Sequence, residues 1–144
     1  MNKLFTSFLI LFCCIISFGQ SKLADIMYSN FEYELAADLY SKEDSLTKKQ
    51  LKQFAYCYYI NNQFEKAIPL FELALKKDTN NLQLAFHYAD ALKSTGRYTS
   101  AQNALSPILI RDSTNPNLQL LIQSIDSLKK WDTCLLYTSP SPRD

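Results

Sequence analysis

Apolar and polar positions alternate along residues 21–131 with the spacing of short amphipathic helices. In the segment 31–40, large and small apolar residues recur every three or four positions. A second apolar stripe follows the same rule near the other end, at Leu118, Leu121, Ile125 and Leu128. Residues with this spacing fall on one side of an α-helix. The pattern therefore predicts an all-α protein in which each helix buries one face.

The helical segments repeat along the chain with a fixed period. The motif Asn62–Ala67 returns as Gly96–Ala101. More pairs at this spacing are Phe54 and Tyr88, Ala55 and Ala89, Tyr58 and Leu92, Phe71 and Leu105, and Ala74 and Ile108. A 34-residue period with an aromatic residue and then Ala-x3-Phe resembles the tetratricopeptide repeat, a helix-turn-helix unit. The resemblance implies an all-α TPR solenoid of about three repeats, near residues 21–47, 48–81 and 82–115, with a terminal helix over 116–131.

Residue size explains why the repeated positions would pack together. Repeated alanines let paired helices approach closely, while aromatic and leucine side chains fill the grooves between them. Gly96 and Asn62 fall at the turns between helices, and both tolerate the left-handed conformation that such turns often need. Two prolines lie inside predicted helices. We expect Pro69 to disturb little and Pro107 to kink its helix or shift its start.

The outermost units depart from the strict period. In the first repeat Tyr33 stands three positions closer to Phe64 than the period requires, so the connecting segment is shortened by that amount. The first helix of this repeat is predicted over residues 21–28, with its inward side chains at Leu23, Ala24 and Met27. At the other end, the segment from Thr114 echoes that from Thr79 with one or two residues inserted. The last helix is either a terminal capping helix or the opening of a fourth unit.

The resemblance also implies a binding surface, because tetratricopeptide modules usually bind peptides in a concave groove lined by the first helix of each repeat. The corresponding candidate residues are Lys49, Lys52, Tyr56, Tyr59, Gln83, Phe86, Asp90 and Lys93. Packing between helices is the alternative role for the three aromatic residues. The family's clamp for a peptide C-terminal carboxylate uses asparagines, which these positions lack. We therefore expect another protein or peptide as the partner, but not a chaperone tail.

The N-terminal residues have the features of a secretory signal. Lys3 precedes an apolar run from Leu4 to Ile16, and small residues follow where a signal peptidase cleaves. We expect residues 1–19 to be a signal peptide removed before Gln20. The alternative is an uncleaved inner-membrane anchor, although the segment from Leu4 to Phe18 is shorter than the roughly 20 residues that span a bilayer.

The last eleven residues, 134–144, differ abruptly in composition from the helix-forming segment before them. They resemble, residue for residue, one translated reading frame of a transposase-type sequencing adapter. We interpret them as an adapter-derived artefact, which would make residues up to Thr133 the N-terminal fragment of a longer protein. A natural tail with two Ser-Pro steps is the alternative.

The balance of charges and the small number of reactive side chains limit the kinds of function that the chain can have. The chain has 15 basic and 14 acidic side chains, of which 13 of each lie between residues 20 and 133. This balance argues against a nucleic-acid-binding protein, which needs a basic surplus on one face. His87 and Cys57 are the one histidine and one cysteine of that span. We interpret His87 as making a polar contact with a partner or between helices, and Cys57 as a small buried apolar residue. The sequence predicts no catalytic site, no cofactor and no metal.

The chain has a signal peptide, then a repeat array, and then an Asp-Ser-x3-Trp motif that ends at Trp131. This order resembles the N-terminal region of large envelope proteins of Gram-negative bacteria. In those proteins a β-propeller and an OmpA-like domain follow. The resemblance implies an exported, non-catalytic scaffold, periplasmic or associated with the outer membrane, that binds a cell-envelope protein and has no membrane span after signal cleavage. The alternative is a helical accessory or spacer domain of a truncated multidomain enzyme or sensor.

Overall fold

The computed structural model describes residues 22–138, with side chains described as far as residue 134. This part of the chain contains seven α-helices and no strands. The helices are α1 (22–29), α2 (Tyr33–Ser41), α3 (Lys48–Ile60), α4 (Phe64–Lys77), α5 (Leu82–Ser94), α6 (Tyr98–Arg111) and α7 (Pro116–Thr138). The all-α prediction is confirmed. The proposed cleavage site and the last six residues lie outside the described range.

Helix starts follow the repeat period closely. The starts of α3, α5 and α7, at Lys48, Leu82 and Pro116, are each one period apart, as are those of α4 and α6. The insertion expected before the last helix is therefore not found. The residues that cap the N-termini of α5 and α7 are Asn81 and Asn115, which are also one period apart. The side-chain oxygen of each accepts a hydrogen bond from the backbone N–H three residues later.

The turns between paired helices adopt the left-handed conformation that the sequence predicts. Gly96 has φ 76° and Asn62 has φ 56°. Backbone hydrogen bonds close both turns, from Arg97 N–H to the Leu92 carbonyl and from Gln63 N–H to the Tyr58 carbonyl, each 2.9 Å long. In the first repeat the equivalent residue is Phe31, with φ 64°, which the sequence pattern did not predict.

The described residues divide into two compact units, one that ends at Thr79 and one that begins at Asn80. Among the described residues of the first unit, a buried cluster joins α1, α2 and α3, and its members are Ala24, Ala36, Ala37, Tyr40, Phe54 and Cys57. The buried Tyr40 hydroxyl lies 2.6 Å from a carboxylate oxygen of Asp25, to which it donates a hydrogen bond. The predicted inward orientation of Leu23 is wrong, because its side chain is 43% exposed.

In the second unit, α5, α6 and α7 pack on one another through residues at the repeated positions. The buried side chains are Leu84, Ala89, Ala91, Leu92, Ala101, Leu105, Ile108, Leu118, Leu121 and Ile125. Small residues lie among large ones here, as the repeat pattern requires for closely packed helices.

Neither internal proline interrupts its helix. The start of α6 at Tyr98 is not shifted, and the helix continues through Pro107 to Arg111. Proline removes one backbone donor and leaves the carbonyl four residues earlier, that of Asn103, without its helical partner. Both Pro107 and Asn103 are exposed, so water can reach this carbonyl.

The last helix is longer than predicted. We expected a helix over 116–131, whereas α7 continues to Thr138, and no glycine or proline occurs after Pro116 within it to stop it. Positions equivalent to the buried Ala89 and Leu92 of α5 are the exposed Gln123 and Asp126. Polar residues at positions that are buried in other repeats are typical of a helix that caps a repeat array.

Candidate functional site

The candidate residues on α3 are three or four positions apart and therefore share one side of the helix. Lys49 is exposed, and the other three are half-buried. The Lys52 ammonium group lies 3.1 Å from a carboxylate oxygen of Asp78, at the end of α4. Tyr56 and Tyr59 stack with their ring centroids 6.0 Å apart.

Those tyrosines belong to a larger aromatic cluster in the first unit. The Tyr56 ring meets the rings of Tyr28 and Tyr33 edge-on, at centroid distances of 6.3 and 5.9 Å. Burial raises the pKa of the Tyr28 phenol to about 12, with smaller contributions from its neighbours. These tyrosines therefore already make packing contacts within the unit, and each keeps part of its surface accessible.

The candidate residues on α5 line two adjacent concavities of the second unit. Gln83 and Phe86 line a pocket of about 280 Å³, which residues of α6, α7 and the segment between them complete. Phe86, Asp90 and Lys93 line a more open concavity of about 460 Å³ against α7. Asp90 and Lys93 form an ion pair with an N–O distance of 2.7 Å.

Residues of α7 that the sequence did not assign to a binding surface also line the more open concavity. They are Asn117, Leu120, Leu121 and Ser124. Asn117, Leu120 and Ser124 each stand one repeat period after a candidate residue of α5, so the repeat period could have identified them. We missed them because we interpreted α7 as a terminal helix and stopped the groove positions at α5. That the α3 and α5 residues line one continuous groove stays a prediction.

Of the two residues considered for other chemistry, Cys57 is buried and His87 is half-buried. Cys57 is fully buried, and this burial raises the pKa of its thiol to about 12, so the thiolate that reacts as a nucleophile is disfavoured. Burial lowers the pKa of His87, and Asp90 acts weakly in the opposite direction. Within residues 22–138, no group of three or more histidine, cysteine or acidic side chains is placed to hold a metal ion. None of the helices in that range is both long and apolar enough to cross a membrane.

Comparison with known proteins agrees with this architecture. Residues 58–125 match the family model described as "Tetratricopeptide repeat". No curated protein matches the chain. Among solved structures, the chain is similar to the Hsp90 co-chaperone Cns1 from Saccharomyces cerevisiae (delta69), with a TM-score of 0.66 and 18% sequence identity.

That alignment covers 85% of this chain and 42% of the Cns1 chain, so the chain spans less than half of that structure's length. At this identity the likeness shows the fold alone. Tetratricopeptide repeats are typically protein-interaction modules without catalytic activity, and they bind proteins or peptides. The helix starts and the turn conformations agree with the family match over residues 58–125, and the described helices form a TPR-like helical repeat fold.

Proposed function

We propose that this chain is the protein-binding part of an exported, non-catalytic scaffold of the cell envelope. The observation that supports binding most directly is the accessible apolar surface between α5 and α7. Phe86 is half-buried there, and Leu120 is 64% exposed beside it. An exposed leucine and an aromatic ring in a concavity with polar edges are typical of a protein-binding site.

Two exposed leucines allow a matched test of this surface. Leu120 lines the concavity, whereas Leu73 is 45% exposed on α4, outside the candidate set. Random peptides displayed on phage are selected on the purified full chain, and the affinities of selected peptides are measured by fluorescence anisotropy. We expect Leu120→Ala to weaken peptide binding about fivefold or more and Leu73→Ala to leave it unchanged, since a leucine side chain loses roughly 1 kcal/mol or more of contact energy when truncated.

If no peptide is enriched, or if both variants bind equally well, the surface is not a binding site. The accessory or spacer role would then be the better explanation. The contacts of the α3 face agree with that role as well, because Lys52 and Tyr56 already have partners within the first unit.

Export is supported by the sequence of residues 1–19, where a positive residue precedes a continuous apolar run. A fusion of these residues to a reporter that is active only outside the cytoplasm tests it. We expect reporter activity from the natural sequence and its loss with Leu9→Arg, which breaks the apolar run. Protein recovered from the periplasm should begin at Gln20, whereas an uncleaved anchor would keep Met1.

The envelope context also requires that the gene continue beyond Thr133, as the adapter resemblance of residues 134–144 suggests. Direct amplification of the parent DNA across that codon tests this. Continuation into a propeller or OmpA-like sequence would support the envelope scaffold. A stop codon after the present tail would leave a small exported adaptor protein instead.

A further inference from the structure

Two aspartates occupy the same position in successive repeats. Asp78 follows α4 and Asp112 follows α6, one repeat period later. Their backbones are nearly identical, with φ and ψ of −148° and 69° at Asp78 and −144° and 70° at Asp112. The two carboxylates therefore project from equivalent points of equivalent repeats.

The surroundings of the two carboxylates differ in charge. Asp78 has two lysine partners on α3, with N–O distances of 3.4 Å to Lys48 and 3.1 Å to Lys52. The residues one period later, on α5, are Leu82 and Phe86. The second repeat thus has apolar side chains in place of both lysines.

Asp112 consequently has polar partners but no cationic one. Its carboxylate accepts hydrogen bonds from the Asn115 side-chain amide at 3.0 Å and from the Thr114 hydroxyl at 3.5 Å. None of the ion pairs formed by the described residues includes it. The adjacent Arg111 directs its guanidinium group to the side-chain oxygen of Asn80 instead, at 2.7 Å.

Asp112, Leu82 and Phe86 all line the pocket of about 280 Å³ described above, together with the apolar side chains of Ile108 and Leu118. The pocket therefore has an apolar wall with a carboxylate beside it. Its volume lies just below the roughly 300–1,000 Å³ that is usual for small-molecule sites, so it suits one long side chain better than a whole small molecule.

We propose that this pocket binds a lysine or arginine side chain of the partner protein. The cationic group takes the place relative to Asp112 that Lys48 and Lys52 take relative to Asp78. The aliphatic stem packs on Leu82, and the Phe86 ring face is also a favourable neighbour for a cation. This inference rests on the proposed function, and it specifies the chemistry of the partner at this one pocket.

The test uses the phage-selected peptides on the full chain. We expect them to be enriched in a basic residue, and selection on the Asp112→Asn variant should lose that enrichment. For one selected peptide, the basic residue is replaced by glutamine. The peptide change and Asp112→Asn should each weaken binding about five- to tenfold, and both together no more than either alone, because they remove the same charge pair.

A second variant restores the charge pattern of the preceding repeat. Leu82→Lys places a lysine where α3 has Lys48, so it should pair with Asp112 and weaken binding of the basic peptide more than binding of the glutamine peptide. Leu73→Lys is the control, since it adds the same charge at an exposed leucine of the first unit. Circular dichroism on each variant verifies that the helices are intact.

The possible outcomes separate the two proposals. If no peptide binds the natural chain, the proposed function fails. If peptides bind without a basic preference, or if the peptide change and Asp112→Asn are additive, the charge pair is wrong and the binding surface stands. If Leu73→Lys weakens binding of the basic peptide as much as Leu82→Lys does, the loss of affinity comes from net charge, and the assignment of the basic residue to this pocket is overturned.

Discussion

At the scale of single residues, Phe31 is the least favourable choice for its backbone conformation. It has φ 64° at a turn where the following repeats have asparagine and glycine, and its ring is 76% exposed. A left-handed conformation costs an ordinary L-residue roughly 1–2 kcal/mol. The buried contacts of α1 and α2 therefore hold this turn in place against the preference of Phe31.

Replacing Phe31 by glycine should stabilise the protein. The relief of backbone strain exceeds the roughly 0.5–1 kcal/mol of extra chain entropy that glycine brings to the unfolded state. Phe31→Ala is the control, because it removes the same ring but keeps the Cβ atom that causes the strain. We expect urea unfolding to show Phe31→Gly as more stable than Phe31→Ala by up to about 1 kcal/mol.

Gly96 allows the same backbone strain to be tested in the opposite direction, by adding a Cβ atom at a positive φ. It has φ 76°, and apart from Gly96 and its two chain neighbours no residue has a heavy atom within 4 Å of the place where a Cβ would stand. Gly96→Ala should therefore cost about 1 kcal/mol through backbone strain alone. If neither turn responds to the presence of a Cβ atom, the left-handed conformations are not significant for stability.

The lowered pKa of His87 predicts that the stability of the protein depends on pH. Burial holds the pKa of His87 below its ordinary value of 6.5, so the unfolded chain takes up the proton at a higher pH than the folded chain. Protonation then favours unfolding. The contribution of neutral His87 to the free energy of unfolding should be complete above pH 6.5. It should decline as the pH falls toward the pKa of His87 in the folded protein, and it should stay lost below that pKa.

The free energy of unfolding should be measured for the natural chain and for His87→Gln at pH 8 and pH 5. Because the other titrating groups are common to both proteins, the difference between them isolates His87. We expect the natural chain to lose more stability on acidification than the variant. Equal losses would mean that His87 has the same pKa in the folded and unfolded states.

At the scale of single helices, α3 has the most complete N-terminal cap. The Thr47 hydroxyl accepts a hydrogen bond from Gln50 N–H at 3.3 Å, and the Gln50 side-chain oxygen accepts one from Thr47 N–H at 3.1 Å. By contrast, the residue before α4, Gln63, makes no side-chain cap. Capping side chains satisfy backbone donors that the first turn of a helix leaves without partners.

Thr47→Ala should therefore destabilise the protein by about 1 kcal/mol, with Thr47→Ser close to the natural chain because the hydroxyl is kept. Gln63→Ala, at the start of the uncapped α4, should change stability by less than about 0.5 kcal/mol. Urea denaturation of the three variants measures these differences. An equal loss at both helix starts would contradict a specific role for the cap.

The helices could be predicted from the sequence because their signals are local and repeated. Residue size and the repeat period indicated the starts of α3 and α5 and the left-handed turns at Asn62 and Gly96. Phe31 could not be predicted in this way, since nothing in its chemistry favours a positive φ. The conformation becomes evident only when the helices on both sides are in place.

The candidate surface could be predicted less fully. The period identified the α5 side chains, but it did not show that α6 and the segment after it contribute Ile108 and Asp112 to the same pocket. Such a pocket depends on which side chains meet in three dimensions. The charge difference between Asp78 and Asp112 likewise becomes evident only when the lysine contacts of Asp78 are known.

At the scale of the whole molecule, the two cysteines within the described part of the chain differ in accessibility. Cys57 is fully buried in the first unit, whereas Cys134 is exposed in the second. Burial also raises the pKa of the Cys57 thiol to about 12, which disfavours the reactive thiolate. Reaction at Cys57 therefore requires the first unit to open.

A maleimide added to the native full chain should modify Cys134 rapidly and Cys57 only slowly, as read for each site by mass spectrometry of peptides. In denaturant both should react at comparable rates. The exposed cysteine is an internal control for reagent activity. Equally fast native labelling of Cys57 would show that the aromatic cluster around it opens readily.

The position of Trp131 has a practical consequence for spectroscopy. It is the one tryptophan of the sequence, and its side chain is 70% exposed on α7. Its fluorescence already reports an aqueous environment in the native protein, so the emission should change little when the chain unfolds. The packed tyrosines of the first unit, including the buried Tyr40, are better placed to report folding. Stability measurements should therefore follow helical circular dichroism or the tyrosine signal, and Trp131 is better used to detect a partner that covers the end of α7.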